Sequence, residues 1–392
     1  MVTTATADKA LKSFYLDAVT EALDMKANPF LAAIEKSTTD VVGKDVKKLV
    51  RFGVNGGIGA GTETGDLPKA TGNNYVQFVS TLKNLYGRIE ISDKAIRASA
   101  NNEGAFVNLL NDEMDALIRS SAFNFGRMIY GDGTGVLTEL FGGSVIDGMN
   151  EVFLNDARNF AEGMLVDFYK PDGTPCKNGI GRKVVQVRGE FVDFDGEPFT
   201  ASEYPNGTKV YLQGSKDNEI TGLSEIFSAS ETLYGVKRSE NAWIEPYVRN
   251  SIGDIDDEKI QMAIDGIAQK SGSDINFIIC SFGVRRALVK YYKQQGAIMN
   301  TVEIEGGFKA ISFNGIPVIA DRLCPPGTMY LLNTNDFCLH QLCDWQWLEG
   351  EDGKILKQIP GKPVYSATLV KYAELMCTRP QGQGMLKDIT EA

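Results

Sequence analysis

At 392 residues the chain has room for two or three packed domains. Hydrophobic residues at 43% and charged residues at 23% supply an ordinary globular core. The formal net charge of −11 argues against a protein that wraps nucleic acid, which needs Lys and Arg clustered on one face.

A single histidine leaves little room for Ser-His-Asp, Cys-His or multi-histidine metal chemistry. The six cysteines form no CxxC pair, the N-terminal stretch MVTTATADKALK has no apolar signal core, and no apolar run is long enough for a bilayer. Reduced thiols in a cytoplasmic compartment are expected. Cys338, His340 and Cys343 have the residue types of a zinc site, but FCLHQLCDWQWL reads as a packed apolar strand. No catalytic, cofactor or metal residues are assigned.

In chain order, residues 5–35 carry helical periodicity through Leu11, Phe14, Tyr15, Val19 and Leu23, broken at Asn28–Pro29. This is too little for a domain and reads as an arm that packs on something else. VKKLVRFGV at 46–54 alternates, and so does the run through Val76, Phe78, Ser80 and Leu82. The intervening residues 55–74 are too long for a structureless loop inside a compact domain, so the hairpin is expected to project and to be covered by a neighbour. GGIGAG in that loop resembles the start of a dinucleotide-binding turn, but TETGDLPKATGNN follows where a helix is required.

The longest element predicted is an amphipathic helix over Glu103–Ile129, with Phe106, Leu109, Leu110, Met114, Leu117, Ile118, Phe125, Met128 and Ile129 at three- and four-residue steps. Asn101 and Asn102 are candidate N-caps, and the glycines of GDGTG stop the helix. At 1.5 Å per residue it is roughly 40 Å long and acts as a spine. A β-rich stretch at about 145–214 follows, with MLVDFY, KVVQVRGEFVDF and KVYLQGS as strands between turns. Residues 220–252 look irregular, with Trp243 and Pro246 as anchors. From Asp254 the pattern is mixed α/β: a helix opened by Asp256 and Asp257 and ended near Gly272, the strand NFIIC, and a second helix capped by Ser281. FKAISF and IPVIA then form a hairpin about Asn314–Gly315, followed by TMYLLN. The chain closes on one long strand, VYSATLVKYAELMCT.

Three blocks in matching order, LKNLYGRIEISDKAIRAS, NNEGAFVNLLNDEMDALIRSSAFNFGRMIYGDGTG and GGFKAISFNGIPVIADRLCPPGTMYLLNTNDFCLHQLCDWQWLEGEDGKILKQIPGKPVYSATLVKYAELMC, resemble the major capsid proteins of tailed bacteriophages, with the Hong Kong 97-type capsid fold. The resemblance covers most of the chain. It implies an α+β fold with an N-terminal arm at 1–40, an extended β-hairpin loop at 41–92, and a peripheral domain with the spine helix at 93–144 and 351–392. An inserted β-rich module would occupy 145–220, and a linker with an axial mixed α/β domain 221–350. It further implies a structural, non-enzymatic protein assembling as pentamers and hexamers into an icosahedral shell around packaged double-stranded DNA. Portal, scaffolding and decoration proteins would be its partners, no membrane or sequence-specific DNA contact is implied, and it would reside in the virion after assembly in the host cytoplasm.

Under that reading Phe52, Val54, Val76 and Phe78 hold the hairpin on a neighbour. Glu63, Asp66 and Lys69 make charged contacts at its tip, and Arg119 and Arg127 pair between subunits. Family members with a scaffolding extension are cleaved by a protease; here the arm begins at Met1, so a separate scaffold or none is expected. Lys69 sits in the loop that some relatives cross-link, but neither an asparagine partner nor an assisting acid is matched, so no cross-link is expected. An encapsulin-like nanocompartment shell shares the fold and is the nearer alternative. A nucleotide-binding α/β enzyme is the alternative of another class.

Overall fold

The three- and four-residue spacing of apolar side chains folds as one 27-residue helix, Glu103–Ile129. Met114, Ile118, Phe125, Met128 and Ile129 are buried along one face. The amides of Tyr130 and Gly131 turn back to the carbonyls of Arg127 and Met128 and close the last turn. The computed structural model describes residues 28–95, 103–296, 301–304, 308–350 and 353–392. The expected helix before Asn28 and the N-caps Asn101 and Asn102 lie outside the described residues, as do the side chains of Phe106, Leu109 and Leu110.

The described chain divides into two compact units, Met1–Phe123 with Glu225–Ala392, and Asn124–Ser224. In the first, Val364–Cys377 is the central strand of a five-stranded sheet, between Phe337–Trp347 and Lys83–Ser92. Its second half is almost wholly buried, which suits a strand covered on both faces. Lys83–Ser92, grouped on sequence with the hairpin loop, is thus a sheet strand paired along its whole length. Its alternation buries Leu85, Gly87, Ile89 and Ile91. A Cβ at Gly87 would meet Leu117 Cδ1 at 3.0 Å, so the missing side chain lets the long helix lie close to this strand.

A seven-stranded sheet carries the mixed α/β region, in the order Tyr247–Arg249, Gly384–Leu386, Met329–Leu332, Phe277–Cys280, Ile316–Ala320, Phe308–Phe313, Thr301–Ile304. Asp256 caps Asp257–Ser271, which ends on the left-handed Gly272; Ser281 caps Phe282–Gln294. Ile260, Ala263, Ile267, Val284 and Leu288 of these helices share one core with Ile278, Cys280, Val318 and Leu331 of the strands. Asn314 and Gly315 both take positive φ in the hairpin turn, as their identities require. Phe337–Trp347 and Gly384–Leu386 depart from the division drawn on sequence. The first joins the five-stranded sheet and the second the seven-stranded one, because hydrogen-bonding partners are set by three-dimensional neighbours and leave no mark on the strands' own alternation.

The second unit is built on a six-stranded sheet ordered Val136–Glu139, Lys209–Leu212, Leu165–Tyr169, Arg182–Arg188, Phe191–Phe194, Glu151–Phe153. It therefore starts earlier than the 145 read from the sequence. Phe168, Phe194, Phe199 and Tyr204 pack edge to face in its core, with ring centroids 4.7–5.7 Å apart. Arg182 is buried beneath Phe199, and its guanidinium donates to the carbonyls of Asp195 and Glu197.

Arg127 and Glu219 form an ion pair inside this unit, their side chains 5% and 1% exposed. Asn124 Oδ1 accepts from the same guanidinium at 2.7 Å. Arg127 is therefore spent within its own chain. In the first unit Lys371, fully buried, reaches Asp344 at 2.5 Å. Burial alone would raise the Asp344 carboxyl, but the ammonium outweighs it and holds the group below its usual range.

His340 is wholly buried on Phe337–Trp347, beside the parallel strand Glu35–Ser37 and opposite Glu374. Cys338 Sγ lies 4.0 Å from its Nδ1, and the described residues hold no group of three His, Cys, Asp or Glu that could bind a metal. Burial holds the imidazole below its ordinary value of 6.5, with Asp40 opposing that shift. Below 6.5 the unfolded chain takes up a proton that the folded chain resists. The linked stability is complete above that pH and is lost as pH falls toward the folded value. We expect His340→Gln to flatten the fall in denaturant midpoint between roughly pH 7 and pH 5. An unchanged slope in that variant contradicts the assignment.

Candidate functional site

Alternation sets the geometry of the hairpin. Asp45–Phe52 and Asn74–Thr81 pair without a register break, from Asp45 opposite Thr81 to Phe52 opposite Asn74. One face carries Val46, Val50, Phe52, Val76 and Phe78. Val46 and Phe78 are fully buried, Val50 is nearly so, and Phe52 and Val76 are half-buried.

What covers that face is a segment of the same chain that sequence reading left irregular. Trp243 stacks on Phe52 at 4.7 Å and 5°, and lies parallel to Phe78 at 5.9 Å and 4°. The indole nitrogen donates to Asn241 Oδ1 at 3.1 Å, which fixes the ring. Phe52 and Phe78 are thus occupied by their own chain's Trp243.

Tyr234 adds a second tie. It sits at φ 48° in a two-residue turn with Gly235, between Thr232–Leu233 and Val236–Lys237. A bulky side chain is rare in that region and persists only where its surroundings hold it. Here the hydroxyl donates to the Leu375 carbonyl at 3.3 Å and accepts from the Cys377 amide at 3.1 Å, while its carbonyl accepts from the Val79 amide at 3.0 Å. Burial pushes the phenol well above its ordinary value, so it stays a donor at any working pH. One residue thereby links the hairpin to the central strand of the five-stranded sheet. Its sequence signal was a Tyr-Gly pair between two β-favouring dipeptides, TL and VK.

Truncating Trp243 to Ala removes a packed aromatic, a change that costs about 3 kcal/mol when fully buried and about 2 kcal/mol at this half-buried site. The Val79 amide then exchanges faster with deuterium while core amides such as Ile278 are unaffected. Uniform protection across both sites contradicts the anchor.

Beyond the anchor the hairpin has almost no contacts of its own. Asn55 fastens the base, accepting from the Gly57 amide and donating to Asn73. Val54, Ile58 and Leu67 are 79%, 80% and 90% exposed, and Leu49 and Tyr75 stand exposed on the outer face. Glu63, Asp66 and Lys69 are exposed at the tip and take part in no ion pair among the described residues. GGIGAG lies in this loop and runs on to the strand Asn74–Thr81 with no intervening helix, so the dinucleotide geometry is absent. Arg119 points outward from the long helix, its Nε donating to the Asp115 carbonyl.

The fold is similar to that of a chain of the cyanophage A-1(L) capsid asymmetric unit, with a TM-score of 0.57, 10% identity and 93% of each chain covered. The chain shares that fold. Two further similar structures are the capsid of a native GTA particle (TM-score 0.47, 10% identity, 92% of this chain and 90% of that one) and the holo-SrpI encapsulin complex from Synechococcus elongatus PCC 7942 (0.45, 10%, 93% and 89%). No family model and no curated protein sequence matches the chain. No helix among the described residues is long and apolar enough to cross a membrane.

Proposed function

We propose that the chain is a structural, non-enzymatic shell subunit: a phage major capsid protein whose copies form pentamers and hexamers of an icosahedral shell around double-stranded DNA. The observation that carries this reading is the hairpin, held at its base by Trp243 and Tyr234 and exposing Val54, Ile58 and Leu67 beyond it. A hairpin anchored at its base whose loop leaves large apolar side chains uncovered is a docking element, and its cover lies on another molecule. The fold shared with a cyanophage capsid chain supports the same reading.

In this reading Val54, Glu63, Asp66, Lys69 and Arg119 contact neighbouring subunits directly. Val76, Phe52 and Phe78 set the angle at which the arm leaves. The five-stranded sheet and long helix form the peripheral domain, the seven-stranded sheet the axial domain, and Asn124–Ser224 carries the inserted module. Portal and scaffolding proteins are partners in assembly. The net charge of −11 suits an inner wall from which packed DNA slides freely. Nuclease treatment of purified particles tests the cargo. Protected double-stranded DNA supports the capsid; particles holding protein and no DNA identify an encapsulin-like compartment.

A further inference from the structure

The two helices of the mixed α/β region each carry a charged ridge on the solvent side, and the two ridges are opposite in sign. On Phe282–Gln294 an open groove of about 700 Å³ is lined by Arg285, Arg286, Val289, Lys290, Lys293 and Ile311, with no carboxylate. Arg285, Lys290 and Lys293 take part in no ion pair among the described residues, and Arg286 donates through Nε to the main-chain oxygen of Ala392 at 2.5 Å. In a chain of net charge −11 this is a local reversal of sign. The apolar floor matters to the choice of partner. Val289 and Ile311 offer nothing to a phosphate backbone and fit a protein surface with acids around an apolar residue.

Asp257–Ser271 presents such a surface. Glu258, Met262 and Asp265 fall at four- and three-residue steps on the exposed ridge opposite the buried Ile260, Ala263 and Ile267. Met262 is 47% exposed, a large apolar side chain between two acids. Glu258 has no cationic partner among the described residues, and Asp265 accepts only from Gln261, at 2.7 Å. On the other helix Arg286, Val289 and Lys293 follow at three- and four-residue steps. Each stripe is roughly 10 Å long. Laid antiparallel they coincide: Glu258 with Lys293, Met262 with Val289, Asp265 with Arg286.

We infer that these stripes are the two halves of a contact between copies of this chain, the acidic ridge of one seated on the basic ridge of the next. The inference rests on the shell reading and adds to it a residue-level pairing in the mixed α/β region, away from the hairpin. Charge pairing of this kind chooses partner and register more than it adds affinity.

A charge swap in the full chain tests it. Glu258→Lys with Asp265→Lys, and separately Arg286→Glu with Lys293→Glu, place like charges opposite each other. Each pair raises the concentration needed for assembly about tenfold or more. The quadruple variant restores it to within about threefold of the unaltered chain. All four altered positions are exposed, so circular dichroism and thermal melts stay unchanged and report any folding defect separately. Assembly that tolerates either pair, or a quadruple variant no better than the worse pair, overturns the contact while leaving the shell reading in place. If only the basic pair matters, and it acts by lowering DNA retention, the groove meets nucleic acid and the inference fails. An unaltered chain that never assembles overturns both.

Discussion

Replacing residues 53–73 with a tight Asn-Gly turn leaves a soluble, folded chain that no longer builds closed particles. The two strands of the hairpin keep their register, since Phe52 already stands opposite Asn74 and a two-residue turn joins such a pair. Val46, Phe78, Trp243 and Tyr234 keep their packing because none of them touches the tip. Lost are Val54, Ile58 and Leu67, the apolar side chains with no cover in their own chain. Closed symmetry multiplies a small loss at every copy, so a few kcal/mol at one contact separates complete shells from free capsomers. Sedimentation should show particles replaced by species no larger than capsomers, with an unchanged circular dichroism spectrum. Particles of normal size from the shortened chain sink this account of the hairpin.

The largest stability effect is expected at Glu219. Its carboxylate faces the Arg127 guanidinium where both side chains are almost fully buried. Glu219→Ala leaves the guanidinium charge buried with Asn124 as its remaining acceptor, and breaking such a pair costs about 3–5 kcal/mol. For a unit the size of Asn124–Ser224 this lowers the melting temperature by about 10 °C or more. The surface pair Arg88–Glu90, half exposed on both sides, gives the control. Glu90→Ala costs less than about 1 kcal/mol. Equal, small effects at both sites mean that water reaches the Arg127 pair in solution.

These two sites differ in how far the sequence announced them. The long helix was legible to its end residues, because apolar periodicity and the GDGTG stop act within one or two turns. The inward face of the hairpin was legible too: strict alternation leaves Val46, Val50 and Phe78 on one side whatever lies there. What lay there was not legible. Trp243 stood out as an anchor, but nothing local shows that it meets Phe52 and Phe78. The same limit hid the pairing of Lys83–Ser92 with Val364–Cys377, since alternation identifies a strand without its partner. Gly384–Leu386 is too short to alternate, and its sheet is fixed by its pairing with Tyr247–Arg249 and Met329–Leu332. Arg127 reads from the sequence as a partner in ion pairs between subunits; its burial depends on Glu219, which no helical spacing connects to it.

The most direct test of the central claim is the sedimentation of the purified full chain, with electron microscopy of the fastest fraction. Self-assembly through the arm predicts megadalton icosahedral particles, or rings of five and six copies. A clean monomer or dimer at high concentration, with no larger species, contradicts the account.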